Sequence, residues 1–294
     1  MGKKYSPTAT GNFGTCQILW ALQQNGWHTD EIGYPNIAMS VGTGIHHAAH
    51  LTHQGIKEGK APEAEAVVAE AVAEGTKGIQ RLIEAGAFPM ERIEDWKERV
   101  TDQVTRGSKA YMTQFPKLFE SGWIVESSEE AYGAERGQGD YTGRLDLLLR
   151  GEFGLAVADV KTKQPFKTPF YRELFLGQFK HSWQMYSYMH MVKEYTGELP
   201  ARFYLVMVEM KQRPVVEIFP YHTDEVFYQR WLHAATERWA KMEAIENGEA
   251  VPTISDNHFF YGRNCPFKRA CLDLGCDEGQ MKNHGYIQIE GSDG

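Results

Sequence analysis

The sequence predicts an α/β fold in which helices cover a mixed sheet and a helical segment precedes that sheet. Apolar residues recur at helical spacing through the first 120 positions, and the spacing then changes to that of short strands. Further along, a helix, two strands and another helix follow in turn, which is typical of a mixed sheet with helices on it. With 294 residues, the chain is long enough for one large domain or two small ones.

The first 120 residues are predicted to be helical. A helix starts after the turn at Ser6-Pro7, and another is indicated by Trp96, Val100 and Val104, which lie four residues apart. We predict helices in this region at residues 6–25, 40–58, 62–86 and 91–120.

The central region is predicted to contain the sheet. Three strands are expected at residues 122–131, 141–150 and 154–163, and the GEFG segment between the last two reads as a tight hairpin turn. A long helix at about 173–195, strands in RFYLVMVEM and PVVEIFPYH, and a helix at 223–247 follow. We therefore expect an N-terminal helical region (1–120), a central core (121–250) and a cysteine-rich tail (251–294), all in one compact domain.

Composition and charge exclude several classes of protein. Hydrophobic residues make up 42% and charged residues 24% of the chain, as in ordinary soluble globular proteins. The opening MGKKYSPTATG has no apolar stretch of a secretory signal, and no apolar run approaches the ~18 residues that cross a bilayer. We expect a cytoplasmic protein that does not bind membranes.

The net charge of -8 argues against non-specific coating of nucleic acid, which needs a broad positive surface. A local basic groove on an acidic protein remains compatible with nucleic-acid chemistry. The cations that could line such a groove are Lys161, Lys163, Lys167, Arg172 and Lys180.

Two acids and a lysine are the strongest chemical signal in the chain. Asp146 stands inside the apolar run GRLDLLL, and Asp159 and Lys161 share one face at the end of LAVADVKTK. A hairpin can bring all three together, where carboxylates would hold a hard divalent cation and the lysine would face water or phosphate. The alternative is that they are strand-end acids and a surface lysine, but an unpaired carboxylate among leucines is costly to bury, which favours a metal ligand.

A helix after this lysine carries Gln184 and Tyr188, which share a face because they are four residues apart. The order GRLD, then DVK thirteen residues after the first aspartate, then Gln-x-x-x-Tyr resembles the RecB-type branch of the PD-(D/E)xK nucleases. The resemblance covers most of the chain, from Ser6 to Cys276, and implies a restriction-endonuclease-like sheet with a helical insertion. It also implies a set of catalytic residues, which are Asp146, Asp159, Lys161, Gln184 and Tyr188.

The segment VGTGIHHAAHLTH puts His46, His50 and His53 on one helical face, with His47 beside it. The residues alone leave open a separate zinc site and a polar helix face without a ligand. The resembled family has a Gly-x-x-His helix whose histidine joins the metal site, and Gly44-Ile45-His46 is the nearest counterpart here. We therefore predict His46 as a ligand and His47 as the second choice, while His50 and His53 pack or face DNA. The implied ligands of Mg²⁺ or Mn²⁺ are His46, Asp146, Asp159 and the carbonyl of Val160.

The resembled family often carries a glutamate near its site, on the strand before GRLD. Here the segment ESSEE offers Glu126, Glu129 and Glu130. Glu126 is the candidate we consider first, although most of these acids are expected to be solvated.

The four cysteines are divided between the two ends of the chain, with Cys16 alone and Cys265, Cys271 and Cys276 close together. A disulfide is not expected in a cytosolic protein, which leaves unrelated buried thiols or a metal site. The resembled family includes members in which one cysteine before the core and three after it hold a 4Fe-4S cluster that joins the ends. The gaps here are five and four residues, unlike the family's close pair and longer gap, so zinc stays an alternative.

The residues and the resemblance together predict a metal-dependent DNA nuclease that acts as an exonuclease on DNA ends or single strands. It would act in recombination, repair, or phage- or CRISPR-type DNA processing in a bacterial or phage-infected cell, with a separate helicase or recombinase as partner. The alternative is a non-catalytic DNA-binding subunit with a structural iron-sulfur or zinc site. A zinc protein built on the histidine helix does not explain the DVK and Gln-x-x-x-Tyr motifs.

Overall fold

The chain forms two compact units in a computed structural model that describes residues 4–29, 37–84, 92–117, 122–136, 139–253, 259–260, 263–265, 267–284 and 286–288. Unit 1 comprises Met1–Lys4 and Pro35–Glu225, and unit 2 comprises Tyr5–Tyr34 and Val226–Gly294. Unit 1 is therefore almost continuous in sequence, whereas unit 2 is built from both ends of the chain.

Unit 1 contains the sheet and the helices on its two faces. With elements numbered in chain order, its helices are α3 (Ile37–Lys57), α4 (Ala64–Glu84), α5 (Ile93–Gln114), α6 (Pro169–Lys180) and α7 (Trp183–Thr196). Its strands are β3 (Ile124–Arg136), β4 (Gly139–Gly151), β5 (Gly154–Lys163), β6 (Arg202–Glu209) and β7 (Val215–His222). The short strand β1 (Lys4–Tyr5) has one residue in each unit.

The sheet is mixed, as predicted. Strand β3 pairs with β4, β4 with β5 and β6 with β7 in antiparallel fashion, whereas β5 and β6 are parallel. The parallel pair is possible because α6 and α7 form the crossover between its strands. The hairpin predicted at GEFG is confirmed: Gly151 pairs with Gly154, and Gly154 has the positive φ of +92° that favours glycine.

Helices α3, α4 and α5 cover one face of this sheet. Alternate strand residues such as Leu147, Leu149 and Ala158 point into the same core as Val41 and Val104 of the helices. Helix α7 packs against β3 and β4. The sequence prediction of an α/β fold with helices flanking a mixed sheet is therefore confirmed.

Helix α3 lies very close to α4. A Cβ atom on Gly44 would lie 2.8 Å from the carbonyl oxygen of Ala71, and one on Gly75 would lie 2.9 Å from that of Ser40. Only glycine allows this backbone approach, because the obstructing atoms belong to the main chain. The two glycines thus help to fix the position of α3, which carries the predicted ligand His46.

Unit 2 contains short elements around a second core. Its helices are α1 (Pro7–Thr15), α2 (Gln17–Gln24), α8 (Glu225–Glu246, of which Glu225 belongs to unit 1), α9 (Lys268–Leu272) and α10 (Glu278–Asn283). Its strands are β2 (Trp27–Thr29), β8 (Phe259–Phe260), β9 (Arg263–Asn264) and β10 (Tyr286–Gln288), with β2 paired to β10 and β8 to β9. None of the described helices is both long and apolar enough to cross a membrane.

Two predicted helices are each divided in two. The helix predicted at 6–25 is interrupted at Cys16, whose backbone is extended (φ −159°, ψ 119°) between α1 and α2. The helix predicted at 173–195 is instead α6 and α7, because the Ser182 hydroxyl accepts a hydrogen bond from the Met185 N–H (3.0 Å) and starts a new helix. The predicted helix ends at 85–86 and 118–120 lie outside the described residues.

Candidate active site

The candidate site lies where β4 and β5 separate. Their pairing ends at Leu147 and Ala158, one residue before Asp146 and Asp159 would face each other. Instead of a main-chain bond, the Val160 N–H donates to Oδ2 of Asp146 at 2.7 Å. Asp146 is 9% and Asp159 1% exposed, so the two carboxylates predicted from the sequence are brought together and buried at the end of the hairpin ladder.

Lys161 is paired with one of these acids. Its Nζ lies 3.0 Å from Oδ1 and 2.9 Å from Oδ2 of Asp159, as the shared strand face predicts. Burial raises the pKa of Asp159, and the Lys161 ammonium only partly opposes this effect. Burial also acts on Asp146, but His46, Lys161 and the Val160 N–H together outweigh it and lower the pKa of that carboxyl. The two acids therefore differ in their affinity for a proton.

His46 and Glu129 complete a group around Asp146. The His46 Nδ1 lies 3.4 Å from Oδ1 of Asp146, and one ligand atom from each of the three side chains lies within 4.8 Å of the others. Burial lowers the pKa of His46, but the Asp146 carboxylate outweighs it and the net shift is upward. Burial, reinforced by Asp146, raises the pKa of Glu129. A cation at this point would relieve the repulsion between the two acids.

Glu129, and not Glu126, is the glutamate that joins this group. A register shift between Val125 and Ser127 places an extra residue in β3, and Glu129 then falls level with Asp146. Glu129 has a φ of 53°, in the left-handed region that non-glycine residues rarely adopt. Glu126 is half-exposed and accepts from Arg150 Nε at 2.9 Å, so it is occupied on the surface. Of the three acids that ESSEE offers, Glu129 is therefore the one placed beside Asp146.

An open cavity of about 800 Å³ leads to the group. It is lined on one side by α3, including Gly42 and Thr43, and on the other by Glu129 and Arg144. Arg144 is largely exposed, and its Nε lies 3.9 Å from Glu129. The cavity is thus open to solvent at the group and has the cationic side chain of Arg144 in its lining.

The other histidines of α3 contact residues outside the group formed by His46, Glu129 and Asp146. His47 Nε2 lies 3.7 Å from Glu70, while His50 Nδ1 and His53 Nδ1 lie 3.2 Å and 3.0 Å from the Ser128 hydroxyl. Among the residues that the structure describes, no three histidines share a site for one metal ion. Of the two alternatives predicted for His50 and His53, packing fits His53, which is fully buried, whereas His50 lines the open cavity with His46 and His47.

His53 belongs to a buried chain of hydrogen bonds. Its Nε2 lies 2.7 Å from the Tyr111 hydroxyl, and Ser128 donates to the main-chain carbonyl of Asp146 at 3.1 Å. Burial lowers the pKa of His53 to about 3, so this imidazole is neutral. The chain supports the backbone of Asp146 and, through Ser128, the neighbouring Glu129. The sequence pattern gave no indication of Ser128, whose role depends on the β3–β4 register.

Comparison with known proteins decides the family. The model of the PD-(D/E)XK nuclease superfamily matches residues 4–272, which is nearly the whole chain. The chain belongs to the PD-(D/E)XK nuclease superfamily. Nucleases of this superfamily use divalent metals, and the group formed by His46, Glu129 and Asp146 provides one nitrogen and two carboxylate ligands of a suitable kind.

One solved structure shows the fold of this chain. A proposed exonuclease from Eubacterium rectale is 15% identical with a TM-score of 0.53, over 86% of this chain and 85% of its own. An alkaline exonuclease from Laribacter hongkongensis is 14% identical with a TM-score of 0.33, over 69% of this chain and 94% of its own. Among curated proteins, none matches this nuclease.

Helix α7 carries the two remaining predicted catalytic residues of this nuclease. The Gln184 amide donates to the Tyr188 hydroxyl at 2.7 Å, as expected for side chains four residues apart. Tyr188 is 7% exposed, and its helix packs against β3 and β4. Their catalytic roles stay predictions.

The four cysteines of this nuclease lie in one apolar core of unit 2. Cys16 has an extended backbone between α1 and α2, and Cys276 has a φ of 58°, in the left-handed region. Burial raises the pKa of Cys265, Cys271 and Cys276, with a further contribution from neighbouring cysteines. The thiols predicted to act together are therefore near one another although about 250 residues separate Cys16 from Cys265.

Proposed function

We propose that this protein is a RecB-like, metal-dependent nuclease that degrades DNA from ends or along single strands. The observation that carries the proposal is the buried pair Asp146 and Asp159, with Lys161 held against one acid and His46 and Glu129 beside the other. A hydrolase that acts on phosphodiesters needs acidic ligands and a cation in one place, and an open cavity for the polymer leads here.

The donor set fits a hard divalent cation. His46, Glu129 and Asp146 already converge, and Asp159 is proposed to join them as a further ligand. The carbonyl of Val160 is also proposed, because the N–H and C=O of a strand residue point to the same edge and the Val160 N–H points to Asp146. A bound Mg²⁺ or Mn²⁺ would polarise the phosphate and lower the pKa of water there.

The protein's own side chains would orient the reactants. Lys161 is positioned by Asp159 and, as a flexible ammonium, can donate to a phosphate oxygen or to the attacking water. The Val160 N–H restrains the rotation of the Asp146 carboxylate, so that its other oxygen stays directed toward His46. Gln184 and Tyr188 are proposed to support the position of Lys161 or of the strand.

The exonuclease activity is proposed from the resemblance of the motifs and from the kind of protein that shares the fold. DNA is the proposed substrate, in recombination, repair, or phage- or CRISPR-type processing, with a separate helicase or recombinase as partner. The organisation into a helical region, a core and a cysteine-rich tail (1–120, 121–250 and 251–294) stays part of this proposal.

We further propose a 4Fe-4S cluster in unit 2, held by the four cysteines. The donor chemistry fits, because all four thiols lie in one core, and strained backbone such as that of Cys276 is often found at functional sites. A zinc ion is the alternative, because the same thiolates could hold it in tetrahedral coordination.

Incubation of the purified protein with end-labelled single-stranded and duplex DNA and Mn²⁺ tests the proposed function. An exonuclease should release the label or shorten the strand progressively, and EDTA should stop it. Binding without cleavage under every metal condition would instead favour a non-catalytic DNA-binding subunit. Discrete internal fragments from a circular substrate would show that the enzyme is an endonuclease.

A further inference from the structure

Helix α6 is unusual because it buries none of its twelve residues. Its apolar side chains face solvent: Phe170 is 70%, Tyr171 54% and Leu174 49% exposed. A soluble protein rarely leaves adjacent large apolar residues exposed without a ligand or partner for them. This helix therefore presents a surface that its own fold does not use.

The aromatic side chains on and before α6 form two groups of neighbouring rings. The ring of Phe175 lies 5.4 Å from that of Phe166 and 4.9 Å from that of Phe179, and Phe170 lies 5.8 Å from Tyr171. With 100° between successive residues, Phe170, Tyr171, Phe175 and Phe179 cover about half of the helix circumference. We call these four residues with Phe166 and Leu174 the α6 platform.

The other side of α6 is fastened to the sheet. Arg172 donates to Glu217 at 2.6 Å and lies 5.3 Å from the ring of Phe219, and the Tyr221 hydroxyl donates to the main-chain carbonyl of Leu176 at 3.1 Å. All three partners belong to β7. These contacts hold α6 against β7 on the side of the helix away from its exposed rings.

The platform adjoins the candidate site through β5. Lys163 lies two residues after Lys161 on the same face of the strand, which separates their Cα atoms by about 7 Å. The Lys163 ammonium lies 4.8 Å from the ring of Phe175. Lys163 therefore connects the strand that carries Lys161 with Phe175, and a polymer held at Lys161 could extend onto the α6 platform.

The local charge indicates which kind of polymer this surface could bind. Residues 161–180 contain five cationic side chains and one acid, in a chain whose net charge is -8. A locally basic surface on an acidic protein attracts a polyanion. Exposed rings beside lysines are the combination that binds single-stranded nucleic acid.

We propose that the α6 platform binds single-stranded DNA by base stacking and leads that strand to the candidate site. The bases of a duplex are already stacked on one another, so a duplex offers phosphates and groove edges and no free base faces to these rings. The inference rests on the proposed nuclease function and adds that its substrate at this surface is unpaired.

Binding can be measured separately from cleavage. Fluorescence anisotropy in EDTA, with a labelled oligothymidylate and a labelled hairpin duplex, reports affinity when no metal-dependent cleavage occurs. The double variant Phe170→Ala/Tyr171→Ala should bind the single strand at least ~10-fold more weakly and the duplex within about twofold of wild type. Phe170→Trp should retain single-strand binding, and Phe153→Ala, which removes an equally exposed ring from the β4–β5 turn, should change neither affinity.

The lysines provide a second readout. Lys163→Gln and Lys167→Gln should each reduce the slope of log Kd against log salt by about 0.7, the change expected for one phosphate contact with a single strand. Circular dichroism and the midpoint of thermal unfolding identify any variant that fails to fold, and the lysine variants then carry the test.

The outcomes separate this inference from the function on which it rests. Wild-type protein that cleaves DNA, with platform variants that bind single strands normally, would overturn the platform and leave the nuclease intact. Selective loss of single-strand binding in a protein that never cleaves would support the platform and reject the nuclease. Variants that change only the association of the protein with itself, seen by light scattering, would show that the platform is a protein interface and overturn the proposal.

Discussion

The Val160 N–H donates to the side chain of Asp146, at 2.7 Å, at the point where the β4–β5 ladder ends. A carboxylate here replaces the main-chain carbonyl that would continue the sheet. The hydrogen bond satisfies a buried backbone donor and at the same time orients the acid. Substitution of Asp146 therefore has two separable effects, one on the ladder and one on metal binding.

The substitution Asp146→Asn should separate the effect on the β4–β5 ladder from the effect on metal binding. The asparagine oxygen can still accept from Val160, so thermal unfolding should change little, while Mn²⁺-dependent cleavage should fall at least ~100-fold because a charged ligand is lost. Asp159→Ala and Lys161→Ala should cause a similar loss in a labelled-DNA assay. Glu126→Gln is the matched control on the neighbouring strand and should be fully active. Activity within a few-fold of wild type in all three site variants would contradict the nuclease assignment.

We expect Glu129 to lower the stability of the fold while its carboxylate contributes to metal binding. Its φ of 53° costs about 1 kcal/mol for an ordinary residue, and asparagine tolerates that conformation better. Glu129→Asn should therefore leave the free energy of unfolding unchanged or raise it by up to about 1 kcal/mol, while the affinity for Mn²⁺ falls in calorimetric titration. Glu130→Asn, which alters the next residue of β3, is the control. A marked loss of stability in Glu129→Asn would show that the carboxylate supports the fold and not the metal.

The pair on α7 is tested by small changes. Tyr188→Phe removes one hydroxyl and leaves Gln184 without its 2.7 Å acceptor, and Gln184→Ala removes the donor. Both should slow cleavage by more than about tenfold and lower the free energy of unfolding by only about 1 kcal/mol. Glu194→Gln, a change of an exposed side chain on the same helix, serves as control. Normal rates in both variants would mean that the Gln-x-x-x-Tyr motif has only a packing role here.

The stability of the protein should fall in mild acid because of His53. Its pKa is about 3 in the folded protein against an ordinary value of 6.5, so between these values the unfolded chain binds a proton that the folded one does not. From pH 7.5 to pH 5 this difference should cost roughly 2 kcal/mol, measured by urea unfolding. His53→Phe should be less stable at pH 7.5 but should lose less stability on acidification. The surface variant His233→Gln should keep the wild-type dependence.

A 4Fe-4S cluster held by the four cysteines would colour the protein. Protein purified without oxygen should be brown, with a broad band near ~400 nm and about four irons per chain. Cys16→Ala should bleach the band and lower the thermal midpoint of unit 2, because one ligand of the cluster is missing. Colourless protein with one bound zinc would support the alternative metal, and protein that binds neither would reject a metal in unit 2.

Much of unit 1 could be predicted because side chains alternate between the two faces of its strands and glycines mark its β4–β5 turn. Strand β5 and the Gly151–Gly154 turn were predicted with their observed bounds, and Asp159 and Lys161 were correctly placed on one face. Glu129 could not be identified from the sequence. The extra residue in β3 reverses which side chains face the site, and nothing in ESSEE shows where it lies.

The missed helix breaks have a similar cause. Cys16 interrupts a stretch with apolar residues at helical spacing on both sides, and its side chain is buried in the unit 2 core. The break between α6 and α7 did carry a signal, because Ser182 is a good N-cap, but the helical spacing on both sides concealed it. Local pattern thus predicts elements well and predicts tertiary interruptions poorly.

The divided sequence of unit 2 has a consequence for synthesis. Strand β2 finds its partner β10 only after more than 250 further residues have been made, whereas unit 1 can complete its sheet first. At about 5–20 residues per second, the N-terminal segment with Trp20, Trp27 and Cys16 waits for tens of seconds. During translation the side chains of Cys16 and Trp27 therefore stay without their partners from residues 265–286 until that part of the chain is made.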